Sequence, residues 1–397
     1  MNLQRGGGGA GVASAMTMQI LRDRGINIHV FMRDSKDISP SFLGRLQAFS
    51  SGIYAYHSVV DFGRQLDCLK PDLVHVHELY PLISPWILRE CTQRNVPAVM
   101  SAYDFRLSCP IHSHFHAGAV CTRCIDTSEW ACIRQNCRGH FLESVAYAAR
   151  NAVARHFDLF RQNIAMFITP TDFSARWLSQ HANIEPERIR AIACAVDLPQ
   201  SSTDPALGTY AAFAGRRVAE KGIDVAVAAA HLAKIPLKLA MSAADDISDC
   251  HNDELVTYVQ TRSRDELMKF FCNARFLVVP SIWFETGPLV VSEAMGHGLP
   301  VIASRIGALA QMVEHEHTGL LFETGNVNDL ALQMKRLWGD DLLCRRLGVA
   351  ARNHALNSAS ALTHGNAVLR VYEDVLGGRG IARAQEGDGG AKFTRPS

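Results

Sequence analysis

The feature that most constrains this sequence is an alternation of short, largely apolar runs with longer segments of helical periodicity. Most of the runs lack the polar alternation of strands with one exposed face, so they are typical of parallel strands covered on both sides by helices. The 397 residues are enough for two domains of ordinary size. The sequence therefore predicts an α/β protein with two Rossmann-like domains. The apolar runs lie at residues 26–32, 73–77, 98–103, 164–169, 210–214, 237–241, 276–280, 301–303 and 319–322, and the helical segments at residues 12–24, 83–93, 141–160, 224–233, 264–272, 288–296 and 327–338.

The alternation stops and restarts at residues 197–208, which are rich in Pro, Ser and Asp and show no periodicity. We interpret this stretch as a linker between an N-terminal domain of residues 1–196 and a C-terminal domain of residues 209–360. Residues 361–376 are expected to form a helix that packs back on the N-terminal domain. Residues 377–397 are rich in glycine and charge and are expected to form a disordered tail.

Glycines occur near the start of the chain, at residues 6–9 and 11, directly before a predicted helix. In a doubly wound domain such a turn follows a central first strand, and residues 1–5 are too short and polar to form one. We therefore expect the first strand of the N-terminal sheet to be missing, for example through a late start codon. Gly7 and Gly8 are candidates for a phosphate or acceptor loop, although flexible termini contain similar glycine runs.

The bulk composition limits the partners and the compartment. A formal net charge of +1 argues against nucleic acid as the main partner but is compatible with a local basic patch at a membrane surface. No apolar run is long enough to span a bilayer, and the first residues do not resemble a signal peptide. Eleven cysteines without a secretory signal indicate a reducing compartment. We expect a cytoplasmic protein, either soluble or peripheral at the inner face of the cell membrane.

Two cations follow the strand predicted at residues 210–214, in the sequence GRRVAEKG. Gly215 lets the chain turn away from the strand. Arg216 and Lys221 are then expected at the carboxyl ends of the strands, where α/β folds bind ligands. A diphosphate is the ligand that best matches two converging cations. Ordinary solvated loop charges are the alternative.

A second motif, FETGPLVVSEAMGHGLPVIAS, combines a helix start with two carboxylates. Pro288 suits the first position of a helix, and the free amides of Leu289 and Val290 would form an anion site. Glu285 precedes this helix and Glu293 lies in its second turn, so the carboxylates flank the anion site. Apolar residues surround Glu293 in the sequence, and a carboxylate in such a setting needs a partner. A solvent-facing helical charge is the alternative.

Together these motifs resemble the retaining glycosyltransferases of family 4, whose two Rossmann-like domains face each other across a cleft in the GT-B arrangement. The family pattern has two glutamates separated by seven residues, here Glu285 and Glu293. The resemblance implies that Arg216 and Lys221 bind the diphosphate of a nucleotide-sugar donor. It also implies that Glu293 holds the ribose and that Glu285 contacts the transferred sugar. The backbone at Gly287, Pro288 and Leu289 would touch the sugar or the phosphates.

The sequence departs from the family pattern around the predicted cleft. A Thr-Gly-Pro turn follows Glu285 where the family has a Gly-Phe-Gly-like turn, and Pro288 removes one amide donor. Tyr103 occupies the position at which related enzymes carry a histidine close to the reacting sugar. A tyrosine can still donate a hydrogen bond to a sugar or phosphate, so Tyr103 is a candidate catalytic residue on the acceptor side. His75 and His77 are predicted to share one face of a strand. They either take part in the site or have only a structural role at the edge of the sheet.

A cysteine-rich insert of about residues 108–140 follows the strand predicted at residues 98–103. The insert is polar and has little core of its own, so a tetrahedral structural zinc would hold it. A subset of family 4 carries a similar insert. Free thiols or a disulfide pair are the alternatives to zinc. The predicted zinc ligands are Cys121, Cys124, Cys132 and Cys137.

The resemblance implies a retaining transfer of a sugar from a nucleoside-diphosphate donor to a glycan or lipid-linked acceptor. It implies no cofactor or metal ion in the catalytic step. Surface polysaccharide biosynthesis is the common setting of the family. Two alternatives stay open: another GT-B enzyme, such as a nucleotide-sugar epimerase or a phosphorylase, and a catalytically degenerate protein kept as a zinc-bearing scaffold.

Overall fold

A computed structural model of the chain describes residues 2–3, 8–34 and 49–377. The strands are β1 (Asn2–Leu3), β2 (Arg33–Asp34), β3 (Val74–Val76), β4 (Ala98–Ser101), β5 (Phe115–His116), β6 (Ala119–Val120), β7 (Met166–Thr169), β8 (Ile189–Ala191), β9 (Tyr210–Gly215), β10 (Leu237–Ser242), β11 (Val256–Thr261), β12 (Ala274–Val279), β13 (Val301–Ser304) and β14 (Gly319–Phe322). The α-helices are α1 (Gly9–Arg22), α2 (Tyr56–Leu69), α3 (Ile87–Gln93), α4 (Arg123–Thr127), α5 (Trp130–Arg134), α6 (Phe141–His156), α7 (Asp172–Ala182), α8 (Ile223–Ala233), α9 (Arg264–Cys272), α10 (Leu289–Gly296), α11 (Leu309–Met312), α12 (Val327–Gly339), α13 (Asp341–Ser358) and α14 (Ala361–Leu376).

Two parallel sheets confirm the predicted α/β class and define two domains. The N-terminal domain contains four strands in the order β3-β4-β7-β8, and the C-terminal domain contains six in the order β11-β10-β9-β12-β13-β14. Every residue of β4, β7, β12, β13 and β14 is buried, which explains why these strands can be recognised in the sequence as apolar runs. Separate hydrophobic clusters cover the two faces of each sheet. None of the described helices is long and apolar enough to cross a membrane.

The predictions for the first forty residues need correction. Residues 26–32 do not pair as a strand; only β2, just after them, pairs, in parallel with β1. Ile26 and Ile28 pack toward one core cluster and Phe31 toward the other, which explains the strand-like pattern in the sequence. Asn2–Leu3 form a two-residue strand, β1, which belongs to a small sheet separate from the four-stranded one. Gly7 and the predicted tail beyond residue 377 lie outside the described residues.

Helix α14 returns from the C-terminal domain to cover one face of the N-terminal sheet. Its Val368, Val371 and Tyr372 share a hydrophobic cluster with residues of β4 and β7. At its start, the Arg24 guanidinium donates hydrogen bonds of 3.1 and 3.2 Å to the carbonyls of Ala361 and Leu362. The chain thus crosses between the domains twice, once before β9 and once before α14.

Candidate functional site

Lys221 and Glu285 form an ion pair at the carboxyl ends of the adjacent strands β9 and β12. The Lys221 Nζ lies 2.7 Å from Glu285 Oε1, which also accepts hydrogen bonds from Ser281 Oγ at 2.8 Å and Trp283 Nε1 at 2.9 Å. Burial alone would raise the pKa of Glu285, because its side chain is only 6% exposed. The charge of Lys221 and the three hydrogen bonds outweigh burial, so the pKa lies below its ordinary value. Glu285 is therefore an ionised, weakly basic carboxylate.

The backbone around Gly222 explains why Lys221 reaches Glu285. Gly222 has a φ of +67°, and a side chain there would overlap the carbonyl oxygen of Pro280. The amide of Ile282 donates a 3.0 Å hydrogen bond to the carbonyl of Glu220. The two loops therefore lie directly against each other, and only glycine permits this approach.

Two adjacent arginines in the same loop have different surroundings. Arg217 Nη1 lies 2.6 Å from Asp249 Oδ1, and its amide donates to Asp245 Oδ1 at 3.2 Å. Arg217 therefore holds the acidic segment after β10. The Arg216 side chain is exposed and forms no ion pair or hydrogen bond with the described part of the chain. Of the two guanidiniums, Arg216 is the one available to an anion at the cleft.

The predicted helix start before Glu293 is present, shifted by one residue. Helix α10 begins at Leu289, and Pro288 is its N-cap with extended backbone angles. The first amides of a helix have no intrahelical acceptor and carry the positive end of the dipole. Across the cleft, Gly8 is the N-cap of α1, and a side-chain carbon on Gly9 would lie 3.9 Å from Leu289 Cδ1. Two helix starts, one from each domain, therefore face each other.

Glu293 is buried in α10, as its apolar neighbours indicated, and has a specific partner. Its Oε1 lies 2.9 Å from Arg264 Nη1 and the side chain is 3–4% exposed. Arg264 Nε also donates a 2.8 Å hydrogen bond to Asp197 Oδ2. Burial raises the pKa of Glu293 despite the arginine. The sequence did not indicate Arg264, because a cation directly after the N-cap Ser263 looks like any helix-surface charge.

Tyr103 lies at the end of β4 among neutral histidines. Its hydroxyl is 3.0 Å from His77 Nδ1, and His75 Nδ1 is 2.6 Å from the Tyr372 hydroxyl on α14. The two imidazole centroids are 4.2 Å apart, which confirms that the histidines share a face. Burial raises the pKa of Tyr103, lowers that of His77 well below its ordinary value and lowers that of His75 to about 3. Tyr103 is therefore a phenol with its proton in place.

The buried His77 and the half-buried His75 predict a loss of stability in mild acid. Below its ordinary pKa of 6.5 the His75 imidazole of the unfolded chain binds a proton that the folded chain excludes until about pH 3. Stability must therefore fall as the pH drops through this window. For His75 we expect a loss on the order of 1–2 kcal/mol between pH 7.5 and pH 5, measured by urea unfolding. His75→Gln should flatten this slope, and the same replacement at the exposed His57 should not; equal slopes in all three proteins would contradict the assignment.

A buried ion cluster supports the same sheet edge. Arg106 Nη2 lies 3.0 Å from Glu78 Oε2 and 2.5 Å from Asp104 Oδ2, and the Arg106 amide donates to Asp104 Oδ1 at 3.0 Å. Burial opposes ionisation of Asp104, but Arg106 holds the pKa of that carboxyl at about 2. Asp104 therefore shapes the turn after Tyr103 and is not a free base.

The predicted zinc ligands do not fit a metal ion. Within the described residues, no group of three or more His, Cys, Asp or Glu side chains is arranged to hold one. A hydrogen bond between the Cys132 and Cys137 thiols lowers the pKa of Cys137. Hydrogen bonds anchor the insert instead, since His114 lies 2.8 Å from Ser108 Oγ and 2.9 Å from the Cys121 carbonyl. The cysteine spacing alone therefore misled the prediction.

Most of the predicted site residues converge on the cleft between the domains. Lys221, Glu285 and the start of α10 lie on its C-terminal side, with Arg216 in the same loop as Lys221. Tyr103 lies on the opposite side and is linked to this loop, since Thr286 Oγ1 donates a 2.7 Å hydrogen bond to the Tyr103 carbonyl. Sequence reasoning missed the residues that orient this site: Ser281, Trp283, Thr286 and Arg264.

Comparisons with known proteins agree with this arrangement. Residues 7–200 match the family model described as Glycosyltransferase Family 4, and residues 200–354 match the one described as Glycosyl transferases group 1. D-inositol 3-phosphate glycosyltransferase of Pseudarthrobacter chlorophenolicus is 30% identical over 227 residues, which cover 50% of this chain and 53% of the relative. The enzyme of that name from Corynebacterium aurimucosum is 25% identical over 367 residues, covering 84% and 77%. The chain thus spans about half the length of the first of these relatives.

Solved structures share the fold at low sequence identity. Sucrose-phosphate synthase from Thermosynechococcus elongatus superposes with a TM-score of 0.69 at 19% identity, covering 93% of this chain and 94% of that one. HepE from Anabaena, in complex with UDP and glucose, gives a TM-score of 0.64 at 15% identity, covering 94% and 98%. Both likenesses extend over both domains, which identifies the two-domain arrangement as GT-B. From its sequence matches and its fold, the chain belongs to glycosyltransferase family 4.

Proposed function

We propose that the cleft binds a nucleoside-diphosphate sugar and transfers its sugar, with retention of configuration, to a hydroxyl acceptor on the Tyr103 side. The observation that carries the proposal is the Lys221–Glu285 ion pair beside the amide-rich start of α10. Arg216 adds a second cation to the diphosphate end. Glu293 is placed to accept hydrogen bonds from the ribose, and Glu285 to contact the sugar. The UDP and glucose bound by the HepE structure support this class of donor.

The geometry suits stabilisation of a leaving diphosphate. Negative charge builds on the phosphate oxygen as its bond to the sugar carbon breaks, and preorganised cations and helix amides favour that charge. The acceptor oxygen forms the new bond to the same face of the sugar carbon, and its proton passes to the leaving phosphate oxygen. Glu285 is a poor nucleophile because its Oε1 already accepts three hydrogen bonds. Its role in this proposal is to orient Lys221 and the sugar.

The acceptor follows from the proposal less directly. The relatives named above act on a polyol phosphate by name, which supports a hydroxyl acceptor of that general kind. We extend this to a glycan or lipid-linked acceptor in surface polysaccharide biosynthesis, reached at the inner face of the cell membrane. Formation of an epimerised nucleotide sugar without an acceptor would instead favour an epimerase, and donor binding with no turnover on any acceptor would favour a catalytically degenerate protein.

Arg216 and Arg217 provide a matched pair for testing the donor site. Each variant removes one positive charge from the same loop, but only Arg216 is free of a protein partner among the described residues. Titration calorimetry with UDP, GDP and ADP should identify the nucleotide that binds. We expect Arg216→Ala to weaken that affinity roughly 10-fold or more, because a charge-assisted hydrogen bond to phosphate is lost. Arg217→Ala should stay within about twofold of wild type; equal losses would argue against this placement of the diphosphate.

A further inference from the structure

Residues 283–287 form a strip that contacts both domains with alternate side chains. Trp283 and Glu285 face the C-terminal domain, where both take part in the hydrogen bonds around Lys221. Phe284 and Thr286 face the N-terminal domain. Successive side chains of this segment therefore contact different domains. The strip is the part of the chain where the sequence departs from the family's Gly-Phe-Gly-like turn.

Thr286 forms the polar half of the contact. Its Oγ1 donates a 2.7 Å hydrogen bond to the Tyr103 carbonyl, and its own carbonyl accepts one of 2.7 Å from Thr171 Oγ1. Thr171 is the N-cap of α7, a helix of the N-terminal domain. In the same turn, the Phe173 amide donates a 2.6 Å hydrogen bond to Gln311 Oε1 of the C-terminal domain. The C-terminal domain therefore supplies acceptors that the start of α7 would otherwise lack.

Phe284 forms the apolar half. Its ring centroid lies 4.9 Å from Trp177 and 5.3 Å from Phe173, both on α7, and 6.5 Å from Phe105. Gly287 completes the fit, because a side-chain carbon there would come within 2.5 Å of Pro170 Cβ. A Gly-Phe-Gly-like turn would place a large side chain where Gly287 now meets Pro170. The Thr-Gly-Pro turn is therefore matched to this junction.

We propose that Thr286 and Phe284 act as a latch between the domains and set the position of Glu285 relative to Tyr103. Thr286 follows Glu285 directly in the sequence, and its hydroxyl donates a hydrogen bond to the backbone carbonyl of Tyr103 in the other domain. The latch contacts join residues 284 and 286 of the C-terminal domain to residues 103, 171, 173 and 177 of the N-terminal domain, on either side of Glu285. The latch therefore fixes the distance between the donor and acceptor sides at the point where the sugar moves. The inference rests on the proposed function, in which Glu285 contacts the donor sugar and Tyr103 the acceptor.

If the latch sets the position of Glu285 relative to Tyr103, a variant of Thr286 should lose sugar turnover while it keeps its affinity for the nucleotide. Thr286→Val keeps the shape of the side chain but removes the hydroxyl donor and leaves the Tyr103 carbonyl without it. Thr286→Ser keeps the hydroxyl and is the matched control. We expect Thr286→Val to bind UDP, or whichever of UDP, GDP and ADP binds wild type, within about twofold of wild type, since no diphosphate contact changes. Turnover of the nucleoside-diphosphate glucose that contains the same nucleotide should fall about 10-fold or more in Thr286→Val. In Thr286→Ser most of the wild-type turnover should be kept.

Hydrogen–deuterium exchange tests the mechanical part without any substrate. Loss of one hydrogen bond should speed exchange in the first turn of α7 and at residues 103–106 by about fivefold in Thr286→Val and not in Thr286→Ser. Unchanged exchange at both places would overturn the latch. A Thr286→Val protein that loses nucleotide affinity as much as turnover would also overturn it, since the residue would then serve donor binding. Failure of wild type to bind any nucleotide would refute the proposed function, while the exchange result would still decide the latch.

Discussion

Replacing Lys221 with alanine is expected to reduce sugar transfer by at least about 100-fold at saturating donor. Two effects combine. The leaving diphosphate loses its best-oriented cation, held by the 2.7 Å bond to Glu285. Glu285 also loses the charge that offsets its burial, so its pKa rises and it takes up a proton nearer neutral pH. Transfer is measured as nucleoside diphosphate released in the presence of an acceptor mixture, with donor at ten times its KM.

A double variant separates chemistry from folding in this experiment. In Lys221→Ala the Glu285 carboxylate is left buried without its cation, which destabilises the protein. Glu285→Gln added to Lys221→Ala removes that charge and should recover thermal stability without recovering transfer. Lys269→Ala, on the exposed surface of α9, makes the same change in net charge and should transfer normally. Transfer by Lys221→Ala within about threefold of wild type would exclude Lys221 from the donor site.

Replacing Arg106 with methionine should destabilise the N-terminal domain by about 3–5 kcal/mol. Arg106 is 9% exposed and its guanidinium forms ion pairs with the buried Glu78 and the partly buried Asp104, so methionine would remove the cation from both pairs. The guanidinium also lies 5.7 Å from the Tyr80 ring centroid, so some packing is lost as well. The free energy of unfolding is measured by urea denaturation, with a signal that reports on the unfolding of the N-terminal domain.

The second carboxylate provides the internal check on this prediction. Glu78→Gln combined with Arg106→Met removes one of the two carboxylate charges that Arg106 contacts and should recover part of the stability, because the two residues are in direct contact. Arg64→Met is the control, since Arg64 is 78% exposed and its ion pair with Asp61 is long at 3.8 Å. If Arg106→Met unfolded at the same urea concentration as Arg64→Met, the buried cluster would contribute nothing to stability.

The strands of the C-terminal domain could be predicted because their burial leaves a direct trace in the sequence. Strands β9, β10, β13 and β14 lie where apolar runs of three to five residues occur, since both faces of the sheet are covered. Strand β11 was missed because it lies at the sheet edge, where only Val256 is fully buried and polar residues alternate along it. The Arg216, Lys221, Glu285 and Glu293 pattern was readable for a different reason: its spacing resembles a family motif.

Contacts between distant parts of the chain could not be predicted in this way. Thr286 and Tyr103 are 183 positions apart, and nothing local in either segment indicates their hydrogen bond. Arg264 reaches Glu293 from another helix for the same reason. The zinc prediction failed where a local spacing was taken as evidence of three-dimensional geometry. Residues 26–32 have strand periodicity, but a strand also needs a paired neighbour.

The two glutamates of the motif have opposite electrostatic environments. Lys221 and hydrogen bonds lower the pKa of Glu285, whereas burial raises that of Glu293 in spite of Arg264. A carboxylate of low pKa is suited to hold a cation, and one of raised pKa is sensitive to the arrival of hydrogen-bond donors such as ribose hydroxyls. We therefore expect ligand binding to lower the pKa of Glu293 more than that of Glu285.

A crystal structure of the chain with its nucleoside diphosphate tests the central claim most directly. The account predicts the β-phosphate within hydrogen-bond distance of Lys221 Nζ and of the Leu289 or Val290 amide, and the ribose hydroxyls at the Glu293 carboxylate. Arg216 should turn toward the phosphates, while Arg217 keeps its bond to Asp249. A diphosphate bound elsewhere, with the Lys221–Glu285 pair and the start of α10 untouched, would contradict the assignment of the donor site.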